Sequence, residues 1–120
     1  MGVDLRLLPY YDNDTEFSHC ILPLERRRDL WTYIEEVEKE YGVPVSERFT
    51  SFCGQTSNSK ETGYGKTTVS SYGYAIRWVY AKYLKPFCEL KEVEDNYVNR
   101  AAWAYLLACP DYLKIALFWH

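Results

Sequence analysis

The sequence has no surplus of positive charge: 14 basic residues stand against 17 acidic ones, for a net charge of −3. Proteins that hold nucleic acid or anionic membrane draw much of their affinity from a basic excess. Bulk attraction to either is therefore not expected, and nucleic acid would need a local basic patch. Long apolar runs are missing too, and no stretch reaches the roughly 18 residues a membrane-spanning helix requires. Histidine is scarce, with only His19 and His120, and neither sits in a helical His-x-x-x-His spacing that would suggest a metal site. The four cysteines, Cys20, Cys53, Cys88 and Cys109, contain no C-x-x-C pair, which removes the zinc-knuckle and dithiol patterns. Met1 to Arg6 shows no apolar segment of the secretory kind. An intracellular chain with free, buried thiols is expected, not one stapled by disulfides.

What the sequence has in quantity is aromatic side chains. Twelve Tyr, four Trp and five Phe occur in 120 residues. A core of this size cannot enclose 21 large rings, so some must form a core rim, a groove or a contact surface. The apolar fraction of 48% and charged fraction of 26% are those of an ordinary globular protein. The length fits one domain over residues 1–120.

The chain alternates between two periodicities. Val3 to Leu8 reads as a strand with Val3, Leu5 and Leu7 inward, stopping before Pro9. After the turn residues Asp12 to Thr15, Phe17 to Leu22 reads as a second strand, giving a hairpin. Glu25 to Tyr41 is the clearest helix, with Leu30, Ile34, Val37 and Tyr41 on one stripe. Pro23 precedes it, and Gly42 and Pro44 end it. Val45 to Phe52 fits a short helix by spacing and a strand by composition; the helix is the reading adopted. Gly54 to Gly73 is a long polar stretch rich in Gly, Ser and Thr. Loops of this length usually carry function. Ala75 to Phe87 is either one helix or a strand followed by a helix. Asn96 to Cys109 reads as a helix capped by Asp95 or Asn96, with Val98, Ala102, Tyr105 and Cys109 inward. Leu113 to His120 alternates as a final strand.

No reaction is written plainly in these residues. Gly65-Lys66-Thr67-Thr68 echoes the end of a phosphate-binding loop, but Lys60 stands where that pattern needs its first Gly. His19 and Cys20 are neighbours on a strand and point to opposite faces, so they do not form a catalytic pair. Asp4 and Arg6 share a strand face and are expected to pair, while turn acids such as Glu16 are expected to be solvated. The arginines Arg26 to Arg28 lie in the first turn of a helix, where the dipole disfavours cations; Arg27 and its neighbours make either a contact surface or a solvated turn. Arg77-Trp78, Lys82-Tyr83 and Lys85-Pro86-Phe87 interleave rings and cations, a pattern found both in nucleic-acid surfaces and in cores edged by snorkelling lysines.

Taken together, Val3-Asp4-Leu5-Arg6, Phe17-Ser18-His19, Arg26-Arg27-Arg28-Asp29-Leu30-Trp31, Tyr64-Gly65-Lys66-Thr67, Tyr72-Gly73, Asn99-Arg100-Ala101-Ala102 and Leu117-Phe118-Trp119-His120 make the chain similar, from end to end, to small uncharacterised proteins of tailed bacteriophages and prophages. The resemblance implies a phage setting in the host cytoplasm. It also implies a strand near Ile76 to Val79 followed by a helix from about Ala81, although this chain places Pro86 inside that helix.

The expectation is an α+β, two-layer domain, with about four mostly antiparallel strands and helices on one face. The function expected is non-enzymatic binding of a host or phage protein, such as a host defence or regulatory factor. Tyr64, Lys66, Tyr72, Arg27 and His19 are its candidate contacts, with no cofactor, no metal, no membrane and no nucleic acid. The alternatives are a small enzyme built on His19 with the long loop, or a nucleic-acid binder using Arg26 to Arg28 or the Trp78 region.

Overall fold

A computed structural model describes residues 4–11, 16–18, 20–51, 65–66, 75–89 and 96–120. The chain is α+β, and its main sheet is fully antiparallel. Strands β1 (Leu5–Tyr10), β3 (Leu22–Pro23), β4 (Val43–Pro44), β7 (Arg77–Tyr80) and β8 (Lys114–Trp119) lie in the order β3-β1-β8-β7-β4. A smaller ladder joins β2 (Phe17–Ser18), β5 (Thr50–Ser51) and β6 (Gly65–Lys66), with β2 parallel and β6 antiparallel to β5. Five strands therefore form the main sheet where about four were expected. The two edge strands have only two residues each, too short to leave a periodic signal.

The expected second strand is divided. Phe17 and Ser18 belong to the small ladder, whereas Leu22 and Pro23 pair with Leu7 and Arg6 of β1. Ser18 ties the two regions together from a fully buried position, with its hydroxyl near the Pro9 carbonyl (2.9 Å) and the Cys20 carbonyl (3.1 Å). Strand β1 continues through Pro9 to Tyr10 instead of stopping at Leu8. The Pro9 carbonyl faces Ser18, away from β8, so the missing N–H lies on that side and costs no bond to β8.

Both helices pack on one face of the main sheet. Helix α1 (Arg28–Tyr41) buries Leu30, Trp31, Ile34 and Val37, and helix α2 (Tyr97–Ala108) buries Asn99, Ala102, Trp103 and Leu106. They meet Leu5 and Leu7 of β1, Val79 of β7, and Ile115 and Leu117 of β8, together with Leu84 and Phe87. Burying each such aliphatic side chain stabilises the fold by about 1.5–3 kcal/mol. The opposite face is also covered. Leu8, Tyr10, Ile76, Ala116 and Phe118 pack with Val45 and Phe49, and the Phe49 ring meets Tyr10 edge-on at 4.8 Å. Ile115 to Phe118 are consequently all buried, as expected for a central strand covered on both sides.

Several local expectations change. Residues 45–51 hold a turn and β5 instead of a short helix; Phe49 is drawn onto the sheet, and Ser46 and Arg48 bind Glu16 (Oγ to Oε1 and Nη2 to Oε2, both 2.9 Å). Glu16 is therefore buried, not solvated, and takes a left-handed backbone (φ 45°), unusual for a residue with a Cβ. Asp4 takes its hydrogen-bonded ion pair from Arg26 at 2.9 Å, and the Arg6 charge acts on it more weakly. This contact, followed by burial opposing it and the Arg26 charge reinforcing it, leaves the Asp4 carboxyl below its ordinary pKa.

Helix α1 begins three residues later than expected, because Pro23 is held in β3 and Arg27 is extended. Gly42 ends it with an extended backbone. A Cβ there would collide with the Glu38 carbonyl oxygen, so close approach, not a left-handed turn, requires glycine. After β7 the chain forms two 3-10 pieces, Ala81–Tyr83 and Lys85–Glu89. Pro86 falls in the first turn of the second piece, where its missing N–H is tolerated.

Glu38 reaches across to the sheet end. Its Oε1 accepts a bond from Trp119 Nε1 at 2.7 Å. Burial raises its pKa, opposed by that bond and by the Arg77 charge. The folded state thus holds the Glu38 proton more tightly than the unfolded chain, and stability is lost as pH rises through the folded pKa. Glu38→Gln keeps an acceptor for Trp119 and removes this loss. Thermal melts should show the variant slightly more stable than wild type at pH 7, with the difference vanishing near pH 4.

Candidate interaction surfaces

The residues singled out from the sequence do not converge on one described site. Tyr64, Tyr72 and His19 lie outside the described residues, as does most of the stretch from Gly54 to Gly73. Lys66 is placed by its backbone in β6, opposite Thr50. Gly65 and Lys66 therefore sit in a ladder and not in a described loop leading to a helix. Arg27 pairs with Asp29 at 3.2 Å across the start of α1, and Arg26 pairs with Asp4. Two of the three arginines are thus engaged at home, and Asp29 supplies the acidic group that the helix dipole favours. Arg28 borders an open groove of about 630 Å³, whose other walls include Thr32, Tyr33, Glu36 and Phe87.

His120 closes the sheet, with its backbone N–H and carbonyl both bonded to Asp4 at 2.8 Å. Burial and the Arg6 charge lower its pKa, against the pull of Asp4. Cys20 and Cys109 are free thiols and only half-buried, so the expectation of fully buried thiols is relaxed for these two. Burial raises the pKa of Cys109, opposed by the Lys85 charge. Among the described residues no group of three or more His, Cys, Asp or Glu could hold a metal ion, and no helix is long and apolar enough to cross a membrane.

Two surfaces do stand out, and sequence reading missed the composition of each. The first is the outer face of α2. Of its 12 residues only Arg100 carries a charge. Tyr97 is 74% exposed, Leu107 53% and Tyr105 38%. Its outward side is thus mostly apolar, with Arg100 as the one exposed charge, where a surface helix normally turns a polar face to water. Helix α1 offers the contrast, since Glu35, Glu36, Lys39 and Glu40 form its exposed side. Tyr105 had been expected inward. The helix is instead turned so that Asn99 and Trp103 face the core. Asn99 accepts a bond from the Glu25 N–H (2.9 Å) and donates to the Glu25 carbonyl (3.3 Å), which lets a polar amide occupy a fully buried position. Burial, followed by Cys20 and Cys109, raises the pKa of the Tyr105 hydroxyl.

The second surface is a belt of rings and lysines at the β7 side of the sheet. Trp78 and Tyr80 meet at 4.9 Å, and Tyr80 meets Tyr112 at 5.3 Å. Lys82 Nζ lies 4.6 Å from the Tyr112 ring centre and 5.1 Å from that of Tyr83. Tyr83 stacks on Tyr41 of α1 at 3.9 Å and 7°, and Lys114 Nζ lies 4.3 Å over Trp78. Tyr41, expected in the core, is 42% exposed, and Tyr112 is 66% exposed. Burial disfavours the Lys82 charge, but the bond to Tyr112 and the neighbouring hydroxyls outweigh it, and its pKa is raised. Lys85 is held apart from this belt, bridging the Cys109 carbonyl and Asp111 at 2.7 Å each. The interleaved pairs Arg77-Trp78 and Lys82-Tyr83 were visible in the sequence; the distant partners Tyr41, Tyr112 and Lys114 were not. No family model, curated protein or solved structure matches the chain.

Proposed function

We propose that the chain is a small phage-encoded accessory protein that acts in the host cytoplasm by binding another protein, of host or phage, without running a reaction of its own. The observation that carries this reading is the outer face of α2, where Tyr97 and Leu107 are more than half exposed and Arg100 is the one charged residue. Interface cores are poor in charge and rich in Tyr, and Tyr fills a pocket at low entropic cost. Tyr64, Lys66, Tyr72, Arg27 and His19 enter the same proposal as additional contacts.

The test is affinity capture from host lysate with wild type and with the double variant Tyr97→Glu/Leu107→Glu. Both positions are exposed, so circular dichroism and melting temperature should stay close to wild type. A specific partner retained by wild type should be reduced about tenfold or more by the variant, as expected when charge enters an apolar hot spot. Capture that the double variant leaves unchanged overturns the α2 assignment, and no specific partner at all overturns the binding reading. Alanine variants of the five additional contacts then locate the rest of the surface.

A further inference from the structure

The belt beside β7 has a composition that α2 lacks. Its rings are interrupted by ammonium groups, and those groups rest on ring faces. Lys82 lies between Tyr112 and Tyr83, and Lys114 lies over Trp78. Among the described residues Lys82 makes no ion pair with a carboxylate. A core rim would leave such a cation as Lys82 pointing into water or toward an acid. Here Lys114 covers one end of the run Trp78, Tyr80 and Tyr112, and Lys82 joins its other end to Tyr83, on a chain that is acidic overall.

We propose that this belt binds single-stranded nucleic acid. The charge and the geometry both fit. A single strand presents phosphates at regular intervals with unpaired bases beside them, and surfaces that hold it combine lysines with aromatic faces. Phosphate draws Lys82 and Lys114 away from the rings they now cover. The vacated faces of Tyr112 and Trp78 then accept bases, so each lysine is exchanged for a base at the ring while it gains a phosphate. A protein partner would match the rings but would need acidic groups at the spacing of the two lysines, and a duplex would hide its bases from the rings. The net charge of −3 confines attraction to this strip, which predicts modest affinity and marked dependence on salt.

The test is fluorescence anisotropy with a labelled oligothymidylate of about 12 nucleotides, within the site sizes such surfaces use. Saturable binding at low salt that weakens as salt is added is the expected result. Lys82→Glu/Lys114→Glu should weaken it about tenfold or more and flatten the plot of log affinity against log salt by roughly 0.7 for each lysine lost. Tyr80→Ala/Tyr112→Ala should weaken it about tenfold with the slope unchanged, because stacking releases no counterions. Tyr97→Glu/Leu107→Glu, on the other surface, should leave affinity within about twofold, which separates this site from the protein-binding face. Lys82→Gln/Lys114→Gln replaces the charge reversal if that variant fails to fold. No binding at low salt overturns the proposal, as does equal affinity for a duplex of the same length or binding that the lysine variants leave unchanged. Loss of the captured protein partner on changing the belt, with no oligonucleotide bound, also overturns it and assigns the belt to the protein interface.

Discussion

Trp103→Ala should be the most damaging single substitution in the helical layer, lowering stability by about 3–5 kcal/mol. Trp103 is 1% exposed. Its ring meets Phe87 at 5.9 Å, and its Nε1 donates to the Leu84 carbonyl at 3.0 Å. Truncation opens a cavity between α2 and the 3-10 segment and leaves that carbonyl with only the longer bond from the Phe87 N–H (3.3 Å). Domains of this size are stable by only about 5–15 kcal/mol in total, so the loss is a large share of the whole. Trp103→Phe separates the two contributions: it keeps a ring, loses the hydrogen bond, and should cost nearer 1–3 kcal/mol. Urea denaturation followed by circular dichroism measures both. A Trp103→Ala variant within about 1 kcal/mol of wild type would mean that the contact between α2 and the 3-10 segment contributes little.

Asn99→Ala is expected to cost about 2–4 kcal/mol, although it removes only a small polar group. The Asn99 amide mirrors the peptide group of Glu25, accepting from its N–H and donating to its carbonyl. Alanine leaves both part-buried Glu25 groups without this partner and unties α2 from the segment leading into α1. Asn99→Asp offers a sharper check. An ionised Asp accepts from the N–H but cannot donate to the carbonyl, and it carries a charge into a fully buried position. It should be at least as destabilising as alanine at pH 7 and recover part of the loss at pH 4, where the protonated acid regains a donor. Equal stability of the Asp and Ala variants at both pH values would sink this account.

These two residues also show where sequence reading succeeds and where it fails. The boundaries of α2 were legible, because Asn96 caps it by accepting from the N–H groups of Val98 and Asn99, and Pro110 follows. Its rotation was not. Periodicity ranked Val98, Tyr105 and Cys109 above Asn99 and Trp103, since an asparagine reads as polar until its partner 74 residues away is known. The strands β1 and β8 announced themselves by alternation, β7 was read as a strand only through the resemblance because its spacing also fits a helix, and β3 and β4 exist only because a neighbour pairs with them. The segment from Val45 to Ser51 was misread for the same reason: Phe49 takes its place from a sheet assembled by distant residues. At the belt, sequence gave the local pairs, and the fold added Tyr41, Tyr112 and Lys114 from far along the chain. The motif Asn99-Arg100-Ala101-Ala102, read first as part of a phage resemblance, supplies a structural tie through Asn99.

The position of β8 between β1 and β7 has a consequence for how the chain comes off the ribosome. Leu5 pairs with Trp119, and Arg77 with Leu117, so the earliest strand waits through more than a hundred residues of synthesis for its neighbour. Until residues 114–119 are available, β1 and β7 lack the strand that joins them and have only the two-residue strands β3 and β4 to pair with. Folding of the main sheet therefore waits for those residues and proceeds through long-range closure, the slow route for a small domain. During that interval the nascent chain is exposed to chaperones and to aggregation.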